Sequence, residues 1–375
     1  SMRIMGKNDA RRGPAGPRPA DPAERVLTAR EINAAAGAAG VSACEVITVR
    51  ELIRRLDESF LFGGARPGTE AVLPALSAAF PADADRGVIL TVAIPYGNGD
   101  PQDPGVPGRA CGVVARFARR NYYRAAVSML QDIAATLGRQ TGLFKKDFRI
   151  FVNSRIPEKL IAYGAGLGVY GRNGLLYRKD YGSRFVIGVL YIPLGMRDEA
   201  EVFRAAYDGL RTPEELCGDC TACLTACPVG ALGKQQPEPG LSRCLKARSD
   251  TLEVWDDPTS EVWGQRFYGC DTCQDVCPLN RDVAPGVATS LGVIGPGVDL
   301  REILGLTEAE LTRRFKKTAL GLSWILPRAL LRNALVAAGN AGDRRFSSAV
   351  SRYLAHPEPA LAAAARFAVK KLSSG

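Results

Sequence analysis

Cys217-Gly218-Asp219-Cys220-Thr221-Ala222-Cys223-Leu224-Thr225-Ala226-Cys227-Pro228 is a run of four cysteines spaced two, two and three residues apart and closed by proline. In this pattern three thiolates hold three irons of one [4Fe–4S] cube, and the fourth reaches across to a second cluster. A second group, Cys270-Asp271-Thr272-Cys273-Gln274-Asp275-Val276-Cys277-Pro278, repeats the end of the first and is one ligand short. Cys244, in Ser-Arg-Cys-Leu between the two groups, completes the set: two cubanes need eight thiolates, and eight are present. The crossover rule assigns Cys217, Cys220, Cys223 and Cys277 to one cluster and Cys227, Cys244, Cys270 and Cys273 to the other. Zinc and disulfides are the competing readings. Zinc ribbons favour two CxxC pairs across a longer loop, and disulfides are rare in a reducing cytosol, so both are disfavoured. Cys44 and Cys111 sit among apolar or small residues and are read as unligated thiols.

The rest of the composition narrows the chemistry. The 375 residues are 46% hydrophobic, with 49 Lys+Arg, 39 Asp+Glu and a single His. This is enough chain for two or three domains with real cores, which excludes global disorder and a small disulfide scaffold. One histidine nearly excludes His-rich zinc sites and Ser-His-Asp triads, so redox or metal chemistry must run on cysteine or a bound cofactor. No apolar run approaches the roughly 20 residues needed to span a bilayer. Arg11-Arg12 is followed by Gly-Pro-Ala-Gly-Pro, not by the apolar segment of an export leader. The expectation is a cytoplasmic protein with no membrane part.

Residues 1–24, rich in Arg, Gly, Pro and Ala, read as a flexible tail. From 25 to 205 helical and strand patterns mix without a βαβ rhythm, which predicts an α+β domain. Helical stretches are expected at Val26, Leu27 and Ile32 and at Leu52, Ile53 and Leu56. Strands are expected near Cys44–Thr48, Val88–Ile94, Phe148–Val152 and Phe185–Ile192. A long amphipathic helix is expected over Val113–Leu137, with Arg116, Arg119, Arg120 and Arg124 on its first half. The segment Ala165-Gly166-Leu167-Gly168-Val169-Tyr170-Gly171-Arg172-Asn173-Gly174-Leu175-Leu176, with Tyr181-Gly182-Ser183, is glycine-dense. Such a loop can bring backbone close to a flat or phosphate-bearing ligand, and it can equally be a tight connection. The cluster ligands fall in 206–285. Residues 286–375 carry Ala/Leu-rich helical stretches at Ile325–Ala338, Phe346–Leu354 and Ala360–Leu372, resembling HEAT-type helix pairs. From Gly286 onward there are 13 Lys+Arg against 6 Asp+Glu, so +7 of the net +10 lies here. Arg313, Arg314, Lys316, Lys317, Arg328, Arg332, Arg344 and Arg345 supply most of it. The excess is read as either a solvated face or a surface for a nucleic-acid backbone. The lone His356 is read as structural.

The order of glycine loop, double-cluster insert and helical tail resembles the epoxyqueuosine reductase family, cobalamin-dependent iron–sulfur enzymes of tRNA modification related to reductive dehalogenases. Ala165 to Leu176 with Tyr181-Gly182-Ser183, the two cysteine groups with Cys244, and Leu330-Leu331-Arg332-Asn333-Ala334-Leu335 through Gly339-Asn340 with His356-Pro357 carry the likeness. The resemblance implies a mixed α/β cobalamin domain, a bacterial-type ferredoxin insert and an all-α HEAT-like module. It implies two [4Fe–4S] clusters relaying electrons from flavodoxin or ferredoxin, and a monomeric enzyme that binds tRNA through the basic tail. Gly166, Gly168, Gly171, Arg172, Asn173, Gly182 and Ser183 would contact cobalamin. With no His but His356, the cobalamin is expected base-off without a protein histidine ligand. The family's Asp at the start of the long helix, thought to give a proton to the substrate, corresponds here to Asn121 in Ala118-Arg119-Arg120-Asn121-Tyr122-Tyr123-Arg124, and its Val-Asp to Val152-Asn153. An amide is not a proton donor of that kind. Tyr122, Tyr123 or Glu158 would replace the acid. The alternatives are a reductase of the same architecture with another substrate, and an electron-transfer protein that has lost cobalamin.

Overall fold

The computed structural model describes residues 26–58, 87–97, 111–197, 212–233 and 242–374; the tail expected over 1–24 lies outside them. The strands among these are β1 (Val26–Leu27), β2 (Cys44–Thr48), β3 (Val88–Pro95), β4 (Cys111–Val114), β5 (Arg149–Phe151), β6 (Val169–Tyr170), β7 (Leu176–Tyr177), β8 (Phe185–Ile192), β9 (Gly195–Met196), β10 (Arg266–Tyr268) and β11 (Gly297–Asp299).

Successive side chains of a strand point to opposite faces, so a strand that is apolar at every position must be covered on both sides. β3 is such a strand but for Thr91, its one polar residue, which is buried with the rest. It lies inside a four-stranded antiparallel sheet of order β2-β3-β8-β5. Val88, Leu90, Val92 and Ile94 enter one core, shared with Ile32 of the helix Ala29–Ala38 and with Leu130, Ile133 and Leu137 of the helix Tyr122–Thr141. Ile89 and Ala93 enter another, shared with Leu52 and Leu56 of the helix Val49–Glu58 and with Ile161 and Ala162 of the helix Glu158–Ala165. The result is a helix–sheet–helix sandwich, the mixed α+β architecture expected.

Two local expectations are corrected. Val26 and Leu27 form the short strand β1, which pairs in parallel with β9, and the helix begins only after Thr28, whose capping box with Glu31 fixes its start. The helix expected from Val113 starts at Tyr122. Val113 and Val114 instead belong to β4, the middle strand of the sheet β10-β4-β11, and donate their N–H groups to Gln265 O (2.8 Å) and Pro296 O (2.8 Å). Of the four arginines, only Arg124 lies within the helix.

A third core joins this small sheet to the C-terminal helices. Trp263, Phe267, Phe315, Leu335 and Phe367 all belong to it, so the cysteine-bearing segment and the tail share one apolar interior. The helices Pro327–Ala341 and Pro359–Ser374 cross where Gly339 meets Ala368: a Cβ on Gly339 would stand 2.6 Å from the Ala368 Cα. The basic surface read for the tail loses one member. Arg332 is fully buried, its guanidinium 3.5 Å above the Trp255 ring. It donates to Glu253 O (2.9 Å), Arg248 O (2.8 Å) and Thr251 O (3.0 Å), while the Asn333 side chain donates to Ser249 O (3.1 Å). This pair ties the tail to the chain that follows Cys244.

Candidate functional site

The first cysteine group straddles two short helices, Pro213–Cys217 and Ala222–Ala226, and the second lies around the helix Thr272–Asp275. Helices this short present thiols from their ends and flanking turns. No disulfide joins any of the ten cysteines. The thiols oppose one another's ionisation. Burial pushes the Cys223 thiol up to about 11, and Cys217, Cys277 and Cys220 push it further in the same direction. Burial likewise raises Cys273, followed by Cys270, Cys244 and Cys223. Cys277 thus lies near Cys217, Cys220 and Cys223, and Cys244 near Cys270 and Cys273, with Cys223 and Cys273 linking the two sets. Cys227 is not among the residues acting on Cys273; its Sγ accepts the Ala231 N–H at 3.2 Å. Among the described residues no three Cys, His, Asp or Glu side chains gather closely enough to hold a single metal ion. Partly buried thiols that oppose one another's ionisation are stabilised as thiolates by a cationic centre, so the donor set fits iron–sulfur ligation.

The glycine-dense segment runs from the helix Glu158–Ala165 into the β6–β7 hairpin and abuts this cysteine region. Gly166 is the left-handed cap of that helix, with open space where its Cβ would be. The others face protein. A Cβ on Gly168 would meet Tyr177 O at 2.7 Å, one on Gly171 the Tyr177 ring at 3.1 Å, and one on Gly182 the Asn280 Oδ1 at 2.0 Å. Asn173 turns its Oδ1 to the Leu175 N–H (3.1 Å). Ser183 is engaged with the cysteine segment: its N–H donates to Asn280 Oδ1 (2.8 Å), and the Gln274 amide donates to its carbonyl (2.8 Å) and hydroxyl (3.0 Å). Arg172 donates to Gly218 O (2.7 Å), next to Cys217, while its Nε is buried without a partner. Gly168, Gly171, Asn173, Gly182 and Ser183 thus shape this wall from within. Gln274 and Asn280 escaped the sequence reading; their only signal there was proximity to Cys273 and Cys277.

The expected catalytic stretch divides. The Asn121 side chain accepts the Arg124 N–H (3.0 Å) as helix N-cap and donates to Lys317 O (2.9 Å), and its own N–H donates to Leu291 O (2.9 Å). Tyr122 lines a cavity of about 450 Å³ with Gly97, Arg120, Pro285, Gly286 and Thr289. Tyr123 points elsewhere: burial, then Asp250 and Glu158, hold its phenol well above the ordinary range. Glu158 itself accepts the Ser154 N–H (2.5 Å). The structure therefore sends Asn121 to the tail. Asn153, the second departure, adopts φ 50°, a left-handed conformation that Asn tolerates.

Residues 216–280 match the model of a 4Fe-4S double cluster binding domain. Over 212 residues the chain is 32% identical to the epoxyqueuosine reductase of Burkholderia pseudomallei, a match that takes in 55% of this chain and about half, 48%, of that relative. Over that stretch the chain is similar to the epoxyqueuosine reductases. The fold is similar as well. The structure of epoxyqueuosine reductase from Streptococcus thermophilus superposes with a TM-score of 0.73 at 23% identity, covering 92% of this chain and 90% of that one. An epoxyqueuosine reductase solved with an epoxyqueuosine-modified tRNA stem loop superposes with a TM-score of 0.67 at 22% identity, covering 92% and 89%. Among the described residues, no helix is long and apolar enough to cross a membrane.

Proposed function

We propose that the chain is a cobalamin- and iron–sulfur-dependent oxidoreductase that reduces epoxyqueuosine to queuosine in tRNA. The observation that carries this reading is the pair of thiol groups set against the glycine hairpin. Cys217, Cys220, Cys223 and Cys277 would hold one cluster, and Cys227, Cys244, Cys270 and Cys273 the other. The Gly166–Ser183 wall would seat the corrin, with Gly166 leaving open space and the unpartnered Arg172 Nε offering a donor. Base-off binding agrees with the placement of His356, whose Nδ1 accepts the Glu358 N–H at 3.1 Å in the tail. Bound cobalamin supplies a two-electron reductant that one-electron carriers such as flavodoxin or ferredoxin charge stepwise through the clusters.

The proton chemistry rests on this chain's own residues. With Asn121 fixed to Lys317 O, it is not the acid. Tyr122, which lines the cavity with Arg120, is the proton source at its Oη, and the two form the substrate cavity wall. The module 286–375 is HEAT-like, and its exposed cations Arg313, Lys316 and Lys317 contact tRNA phosphates in a monomeric cytoplasmic enzyme. The test is the ultraviolet–visible spectrum of anaerobically purified protein after cobalamin reconstitution. A corrin band beside the broad iron–sulfur shoulder supports the reading; a shoulder alone, with no cobalamin retained, assigns the chain to simple electron transfer.

A further inference from the structure

β7 ends in Tyr177, whose ring packs against Gly171, where even a methyl group would stand 3.1 Å from it. Its backbone carbonyl is equally confined by Gly168, at 2.7 Å from a built Cβ. Two glycines thus hold one tyrosine in place. The side chain is 5% exposed, and its hydroxyl is buried with no hydrogen-bond partner in the protein. Leaving such a group unpaired is unfavourable, so a buried phenol without a partner implies an acceptor the protein alone does not provide. The groups that act on this hydroxyl are Cys277 and Ser183. Ser183 already accepts from Gln274 and Asn280, at 3.0 and 3.1 Å. The remaining neighbour is the cysteine that crosses over to Cys217, Cys220 and Cys223.

We propose that the Tyr177 hydroxyl donates a hydrogen bond to a sulfur of the cluster held through Cys277, either the thiolate or an adjacent sulfide, and thereby raises that cluster's reduction potential. The inference rests on the two-cluster reading above. A donor aimed at sulfur stabilises the reduced cluster, which carries one more negative charge than the oxidised one. This cluster is the more affected of the two, because Cys277 acts on Tyr177 more strongly than Cys273, a ligand of the other.

The test is potentiometric titration of the cluster-loaded full chain, followed by electron paramagnetic resonance. Tyr177→Phe keeps the ring against Gly171 and removes the donor. The expected result is that one cluster titrates at lower potential, its reduced-to-oxidised ratio at fixed potential falling on the order of tenfold, while the other moves less. Gly171→Ala, which pushes the ring from its seat, moves the same cluster in the same direction. Tyr163→Phe, in the helix Glu158–Ala165, moves neither. If both Tyr177→Phe and Gly171→Ala titrate as wild type, or if both clusters shift equally, the proposal is overturned. A wild-type protein that assembles no pair of cubanes would instead overturn the cluster reading on which it stands.

Discussion

Asn121 does two things that an aspartate cannot do together. Its carbonyl caps the helix Tyr122–Thr141, and its amide donates to Lys317 O at 2.9 Å. Asn121→Asp keeps the cap but sets a carboxylate against a carbonyl. Thermal unfolding should show a loss of about 1–3 kcal/mol, and the acid so created points to the tail and not to the substrate. By contrast, Tyr122→Phe should leave folding and cluster content intact while slowing epoxyqueuosine reduction on the order of 10²-fold, the scale of a lost general acid. Single-turnover assays with the reduced enzyme check this. A third residue-scale outcome concerns Cys44. Burial first, then Glu45, raises its thiol to about 11 from an ordinary value of 9.0. The folded thiol binds its proton more tightly than the unfolded one, so the stability it contributes is complete below pH 9.0 and is lost as pH rises through about 11. Alkylation of Cys44 in cluster-loaded protein, followed by mass spectrometry, should accordingly accelerate up to about pH 11. The double-cluster domain was legible in the sequence because ligand spacing is a local property. The role of Asn121 was not, since its partner lies in a loop nearly two hundred positions along the chain.

At the level of elements, the strands were the most readable part. Phe185–Ile192 and Val88–Pro95 announce themselves because a strand covered on both faces is apolar almost throughout, with Thr91 the one polar residue of Val88–Pro95. The start of the long helix was misplaced because Val113 and Val114 suit a helix face and a buried strand equally, and only the distant β10 and β11 decide between them. The glycine segment was recognised, but its glycines serve the hairpin and its junction with the cysteine region. Gly182, at φ 57° with its Cβ position 2.0 Å from Asn280 Oδ1, marks that junction. Gly182→Ala should separate the Ser183 loop from Asn280 and Gln274 and reduce the iron bound per chain, read by iron and sulfide analysis. The tail makes the corresponding junction through Arg332. Arg332→Lys keeps a charge but loses the planar fork and the stack on Trp255, and should cost about 2–3 kcal/mol in denaturant unfolding.

Across the whole molecule, three apolar cores are joined by polar contacts at the places where chemistry is proposed: the Ser183–Gln274–Asn280 network beside the clusters, and Asn121–Lys317 beside the cavity. The shared core holds the cysteine segment and the tail together as one body. The sequence placed the charge excess in the tail but not its division. Arg332 is interior, and Arg314, Arg328 and Arg345 are paired with Glu302, Glu308 and Asp343, while Arg313, Arg344, Lys316 and Lys317 are among the exposed cations. The most direct measurement of the central claim is incubation of the reduced, cluster- and cobalamin-loaded protein with an epoxyqueuosine-containing tRNA stem loop, followed by mass analysis of the released nucleoside. Conversion to queuosine, with the loss of one oxygen atom, is the predicted result. Unchanged epoxyqueuosine from fully loaded, reduced protein would contradict it.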